Sequence, residues 1–366
     1  MVSLVECVEQ GRCPLKAFIF FYMKRKGKLI EEIIARNNLE ESIRHVLRGI
    51  KRKTCKTGKQ ILGNKESVIQ ELQKIISSGE FEISNYREQV IKERNKTRII
   101  QVTPLMERIA LNAIMKVVEK YINKTFIRTT AASIKGRGTH YLYHIIKKDM
   151  IKDPEGTRYV YKCDIKKFYE SIDQDLMIEV LKRYIKDKTV LKILEKCIRA
   201  LPKGLSIGFR SSQVLGNLFL SHYLDHYLKD KLRVKYYYRY CDDIVILASS
   251  YKELTFLKNE VHKRMNMCKL TIKSNEQMWD IRKRDLDFLG FRIFYTGKTQ
   301  IRKHIKKTFA KKWNRTTDLT RKMQLLGSFY GISKHVNFRN MFKKIIGKSF
   351  SNKKKLKSYI YSKKKR

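Results

Sequence analysis

Two adjacent acids, Asp242 and Asp243, interrupt an otherwise aromatic and aliphatic run, YYYRYCDDIVILA, from Tyr236 to Ala248. The flanks read as two strands joined by a tight turn at Cys241 to Asp243. A carboxylate taken out of water costs several kcal/mol unless a positive charge meets it. With RY before and IVIL after, no polar loop is left in which water could serve both acids. A fold that accommodates this stretch must bring a cation to it.

The rest of the chain is strongly basic. Its 366 residues carry 82 Lys and Arg against 35 Asp and Glu, a formal charge of +47, while 42% hydrophobic residues suffice for a core of two or three packed units. Such a surface repels itself unless it meets a polyanion, and nucleic acid is the natural one. The longest apolar run, AFIFFYM from Ala17 to Met23, is too short to span a bilayer, so no membrane partner is expected. The charge is uneven: from Lys298 to Arg366 there are 23 Lys or Arg and one acid, Asp318. That stretch reads as a small basic helical unit with a frayed KKKR end.

Seven cysteines, Cys7, Cys13, Cys55, Cys163, Cys197, Cys241 and Cys268, form no CxxC pair and suggest neither a disulfide framework nor a zinc site. With no clear leader pattern at the start, a cytoplasmic location is expected. His140 with His144 and His222 with His226 have helical i,i+4 spacing but no third ligand in the HExxH manner, and read as helix-surface residues.

Residues 28 to 80 repeat apolar positions with helical period, and SSGEF breaks the pattern. YREQVIKE and TRIIQV follow as a hairpin with a basic tip, RNK, and Pro104 stops it before a long helix, LMERIALNAIMKVVEKYI. SIKGRGTH is a glycine-bearing loop. TRYVYKCDIKKFYESI reads as a strand ending at Asp164 that runs on into a helix, and a longer helix follows GLSIGF, capped by Ser211 or Ser212. The paired strands around Asp242 and a helix from Tyr251 to about Met267 complete an α+β layer with a helix-backed antiparallel sheet.

Asp164 at a strand end and Asp242 with Asp243 at a hairpin tip are far apart in sequence, yet central strands of one sheet would unite them. Clustered carboxylates raise each other's pKa unless divalent cations neutralise them. Oxygen-only ligands favour Mg2+ or Mn2+ over zinc. Two such ions would stabilise the attacking and leaving oxygens of an in-line phosphoryl displacement.

In these segments the chain resembles the reverse transcriptases from roughly Glu40 to Lys344. NKTRIIQVTPLMERIAL, SIKGRGTH, CDIKKFYESID, IGFRSSQVLGNLFLSHYLD, YCDDIVIL and LDFLGFRIF are each similar to a block of that family, in family order. The resemblance implies a right-hand polymerase fold: an N-terminal region and fingers over 1–110, a palm with antiparallel sheet and the remaining fingers segments over 111–298, and a basic helical thumb and tail over 299–366. It implies Asp164 and Asp242 as ligands of two Mg2+ ions, with Mn2+ as an alternative, the backbone carbonyl of Ile165 beside them, and Asp243 completing a catalytic acidic cluster. Lys96 and Arg98 take the place of finger residues that grip the triphosphate of the incoming dNTP. Tyr169 takes the steric-gate position, where a large ring excludes a 2'-hydroxyl.

One block departs from the common pattern. Group II intron and retroviral enzymes carry a QGxxxSP type of run, whereas here it is Ile207, Gly208, Phe209, Arg210, Ser211, Ser212 and Gln213. Ile207 and Gln213, flanking a substrate-binding loop that includes Gly208, resemble the reverse transcriptases of diversity-generating retroelements. That resemblance implies copying of a template-repeat RNA into cDNA with errors at adenines, an RNA–cDNA hybrid product, and a small basic accessory variability protein that is a homopentamer. With the loop lying under the incoming base, as the resemblance implies, an aliphatic Ile207 in place of an amide would remove a hydrogen-bonding contact to the template–nucleotide pair and would lower fidelity. A retron or group II reverse transcriptase, or a non-catalytic RNA-binding protein on the same scaffold, are the alternatives.

Overall fold

The computed structural model describes residues 25–93 and 96–347. The apolar AFIFFYM run, the hairpin tip Arg94 and Asn95, Cys7 and Cys13, and the basic KKKR end lie outside the described residues.

In chain order, helices α1 (Leu29–Ile34), α2 (Arg36–Val46) and α3 (Lys65–Ser77) precede the hairpin of β1 (Arg87–Glu93) and β2 (Lys96–Val102). Helix α4 (Leu105–Ile122), β3 (Thr130–Ala131), α5 (Thr139–Lys152) and β4 (Tyr159–Asp164) follow. Then come α6 (Gln174–Tyr184), α7 (Lys188–Arg199), α8 (Arg210–Leu220), β5 (Tyr236–Tyr240), β6 (Asp243–Ala248) and α9 (Tyr251–Met267). Strands β7 (Gln277–Asp280), β8 (Leu286–Phe288), β9 (Phe291–Ile293) and β10 (Thr299–Ile301) lead to α10 (Lys303–Arg315), α11 (Leu319–Ser333) and α12 (Arg339–Ile345).

The chain divides into two compact units, each built from separate pieces of sequence. One comprises Met1–Lys135, Lys162–Ile244 and Thr255–Glu276; the other comprises Gly136–Tyr161, Val245–Leu254 and Gln277–Arg366. Strands β4 and β6 each contribute residues to both. The strand order of the five-stranded sheet is β3-β5-β6-β4-β7. It is not wholly antiparallel as the sequence suggests: β3 pairs parallel with β5, Thr130 opposite Arg239 and Ala131 opposite Tyr240.

In the first unit, α4 is the central helix. Ile109, Ile114, Met115 and Val118 are fully buried, and Asn38 of α2 donates its side-chain amide to the carbonyl oxygens of Ile33 (2.8 Å) and Ala113 (3.1 Å). Asp187 caps two helices at once. Its Oδ1 accepts from Val190 N at the start of α7, and its Oδ2 accepts from Leu29 N (2.8 Å) and Ile30 N (3.0 Å) at the start of α1, satisfying backbone donors that a helix cannot satisfy itself. The β1–β2 hairpin is antiparallel, with Val90 opposite Ile99 and Ile91 opposite Arg98. Helix α8 begins after Phe209 with no side-chain cap; Ser211 and Ser212, the expected caps, are buried in its first turn. Beyond Leu220 the helix widens into π-helical turns, Ser221–Asp225 and Tyr227–Lys231.

The second unit contains the sheet β10-β9-β8 and a helical core of Phe309, Leu326, Phe329, Tyr330, Phe338 and Phe342 with Ile301 of β10. The rings of Phe309 and Phe329 stack at 3.9 Å. Asp318, the one acid in the basic stretch, caps α11 by accepting from Thr320 N and Arg321 N, both at 3.0 Å. Of the histidines expected at helix surfaces, His144 is exposed, whereas His140, His222 and His226 are half-buried. His140 stacks on His335 at 3.9 Å, and His144 Nε2 lies 2.8 Å from His335 Nδ1. In the first unit, His222 is buried enough for its imidazole pKa to fall to about 4, chiefly through lost hydration.

Candidate active site

Strand β4 ends at Asp164 and its neighbour β6 begins at Asp243, so the sheet order itself draws the remote acids together. Asp242 occupies the β5–β6 turn after Cys241, whose φ is +57°, a left-handed conformation costly for a residue with a Cβ. The carboxyl of Asp242 is raised from 3.8 to about 6: burial is the largest cause, followed by the charge of Asp164, a hydrogen bond with Asp164, and the charge of Asp243. The acids are thus close enough to oppose one another's ionisation. One oxygen of Asp164, Oδ1, is buried without a hydrogen-bond partner. The other pairs with the ammonium of Lys273, a residue that sequence spacing did not single out.

Ile165 is fully buried and bridges antiparallel to Ile272. Lys166 N donates to Thr271 O and Lys273 N to Asp164 O, both at 2.8 Å, so the backbone on either side of Asp164 is fixed. A buried orphaned carboxylate oxygen next to a second carboxylate of raised pKa suits a hard divalent cation. Among the described residues no group of three or more His, Cys, Asp or Glu side chains is arranged to hold a metal by itself. Asp164 and Asp242 would therefore share Mg2+ with a backbone carbonyl, water and phosphate oxygens, the usual manner of that ion.

Tyr169 follows Lys167, itself left-handed at φ +46°, and stands beside the turn with its hydroxyl 3.2 Å from Cys241 Sγ. Burial, then the adjacent thiol, pushes the Tyr169 hydroxyl up, and burial followed by Asp242 pushes the Cys241 thiol up to about 11. Helix α8 approaches this ring through a glycine: a Cβ on Gly216 would lie 3.0 Å from Phe168 and 3.1 Å from Tyr169.

The Ile207–Gln213 loop is tied to β2. Ser206 Oγ donates to Gln101 Oε1 (2.8 Å) and accepts from Gly208 N (3.1 Å), and a Cβ on Gly208 would run into the carbonyl oxygen of Gln101. Ile207 is half-buried, and exposed Gln213 accepts from Ser133 Oγ at 2.8 Å. Arg98 is exposed on β2, three residues from that anchor; Lys96 opens the strand, and its side chain lies outside the described residues. In the second unit a cleft of about 630 Å³ is lined by Arg284, Arg292, Arg302, Lys303 and Lys307, with Asp285 and Asp287 pairing to Arg292 and Arg302.

A reverse transcriptase (RNA-dependent DNA polymerase) family model matches residues 90–293. No curated protein matches in sequence. Among solved structures, apo telomerase from Candida tropicalis is similar with a TM-score of 0.51 at 13% identity, covering 77% of this chain and 66% of that one. Telomerase from Candida albicans, in complex with a TWJ fragment of telomeric RNA, is similar with a TM-score of 0.52 at 11% identity, covering 82% of this chain and 61% of that one. This chain thus spans less than two thirds of either telomerase chain, and the likeness concerns the fold. The mixed helix and sheet architecture is consistent with a right-hand polymerase fold. With the family model spanning more than half of the sequence, from β1 to β9, the chain belongs to the reverse transcriptase family.

Proposed function

We propose that the protein is an RNA-directed DNA polymerase that copies a template-repeat RNA into adenine-mutagenised cDNA, as the reverse transcriptase of a diversity-generating retroelement. The observation that carries the catalytic part is that neighbouring strands β4 and β6 bring the end of one, at Asp164, beside the turn that holds Asp242, acids remote in sequence. In this reading Asp164, Asp242 and the Ile165 carbonyl hold Mg2+, and Asp243 adds to the negative field. The bound ions supply charge stabilisation to the attacking and leaving oxygens of nucleotidyl transfer. Lys273 neutralises Asp164 until phosphates arrive.

Tyr169, braced by Cys241, sets a ring against the 2' position of the incoming sugar. Lys96 and Arg98 receive the triphosphate. Ile207, Gly208 and Gln213 underlie the nascent base pair, and the apolar Ile207 supports the error-prone subtype. The 299–366 thumb and the cationic cleft receive the RNA–cDNA hybrid, whose A-form backbone is read by shape and charge. The fingers and palm occupy 1–110 and 111–298. A basic homopentameric accessory protein and a cytoplasmic location complete the proposal. Among the described residues no helix is long and apolar enough to cross a membrane.

Primer extension on an RNA template, followed by sequencing of the cDNA with and without a small basic partner, tests the reading. Extension that requires Mg2+ and Asp242, with errors concentrated opposite adenine, supports it. Unchanged extension by Asp242→Asn removes the catalytic assignment, and errors spread over all four template bases remove the subtype.

A further inference from the structure

Arg239 and Asp225 are both 0% exposed. A buried ion pair is a weak source of stability, because well-packed apolar residues of similar volume often serve as well. What distinguishes this pair is how completely it is wired, and to what.

The guanidinium uses every donor it has. Nε donates to Asp225 Oδ1 (2.7 Å) and Nη2 to Asp225 Oδ2 (2.6 Å) and Asn217 O (3.2 Å); Nη1 donates to Asn217 Oδ1 (2.9 Å) and to the carbonyl oxygen of Cys241 (2.8 Å). Asp225 is filled in turn by the hydroxyls of Tyr237 (2.6 Å) and Thr130 (2.7 Å). Asn217 passes its amide on to Ala132 O at 2.9 Å. The network therefore joins α8, the π-helical turn holding Asp225, β3 and β5, and ends on one backbone atom of the catalytic turn.

That atom belongs to the strained residue. Cys241 is left-handed at φ +57°, and both of its peptide groups are held: its N–H by Ala131 O at 3.3 Å, its carbonyl by Arg239. The next residue is Asp242. A turn that costs energy to form stays in place only where its surroundings over-determine it, and here a rigid planar fork does so. The π-helical winding seats Asp225 directly under that fork; such widened turns recur at functional sites.

We infer that Arg239 is a positioning residue for the reaction: gripped by Asp225 and Asn217, it holds the Cys241 carbonyl and so fixes where Asp242 points. The inference rests on the proposed role of Asp242 as a metal ligand. It predicts a chain of effects from Arg239 to metal affinity that a purely stabilising pair would not produce.

Arg239→Lys keeps the charge and loses the fork, and Tyr237→Phe removes one donor from Asp225 while keeping the ring. Each is compared with the parent by thermal unfolding, Mg2+ binding by calorimetry without nucleotide, alkylation of Cys241 by peptide mapping, and single-nucleotide extension. For Arg239→Lys the expected result is Mg2+ affinity weakened about tenfold or more and Cys241 alkylated faster. Its kcat should fall on the order of 10²-fold with little change in KM for the dNTP. Tyr237→Phe should shift the same readouts in the same direction by a few fold, and it decides the matter if Arg239→Lys does not fold. A lower melting temperature with unchanged Mg2+ affinity, alkylation rate and kcat per folded molecule overturns the inference, leaving Arg239 a stabilising residue. Asp242→Asn serves as the control: activity surviving there sinks the site assignment itself, which no result with Arg239 could imitate.

Discussion

Replacing Asp242 by Asn should abolish metal-dependent extension yet make the metal-free protein more stable. Asn keeps the shape and removes the charge that burial and Asp164 oppose. The carboxyl is raised from 3.8 to about 6, a little over two units. At about 1.4 kcal/mol per unit this is an upper figure of about 3 kcal/mol against the ionised form, chiefly from burying the charge and secondly from the field of Asp164. The sign follows from linkage. An acid with a raised folded pKa stabilises the fold while neutral, fully below its unfolded value near 3.8, and that contribution is lost as pH rises through about 6. The gain from Asp242→Asn should therefore be small at pH 4 and complete above pH 7. In a chain of this length, at roughly 1.3 °C per kcal/mol, it amounts to about 4 °C in melting temperature. Thermal unfolding in EDTA at pH 4 and pH 8, repeated with millimolar Mg2+, measures it; Mg2+ should restore the parent far more than the variant. Equal melting temperatures in EDTA at pH 8, or a gain as large at pH 4 as at pH 8, would refute the reasoning.

Tyr169→Ala should lower discrimination against ribonucleotides by roughly 10²-fold in kcat/KM, whereas Tyr169→Phe, which loses only the bond to Cys241, should retain most of it; single-nucleotide incorporation distinguishes the two. Gly208→Ala should cost about 1–3 kcal/mol in urea unfolding, because the added methyl meets the backbone of Gln101 rather than a side chain able to move. If about ten phosphates are neutralised, RNA affinity should fall with salt at a log–log slope near -7 to -9; a slope near zero would contradict the phosphate-binding role proposed for the basic C-terminal stretch.

Several features of the chain could be read locally. Alternation placed Asp164 at a strand end, the aromatic and aliphatic flanks placed Asp242 in a tight turn, and helical period found α4 and the helices before β1. Those signals are local, set by a repeat of two or 3.6 residues and by turn chemistry. The sheet was misread in one respect, because two residues of β3 pairing parallel with β5 leave no periodic trace. The α8 cap was misassigned because Ser211 and Ser212 are buried by packing instead of serving the helix start.

From the sequence alone came the element types, the oxygen-rich acidic set and the excess of positive charge, since each depends on residue identity and near-neighbour spacing. The tertiary structure decided which acids oppose one another, that Lys273 meets Asp164, and that Asp225 and Arg239 close a network on the Cys241 carbonyl. Those pairings depend on strand order and on a widened helical turn, and both come from burying apolar faces across the whole fold, a long-range balance that no local stretch of residues encodes.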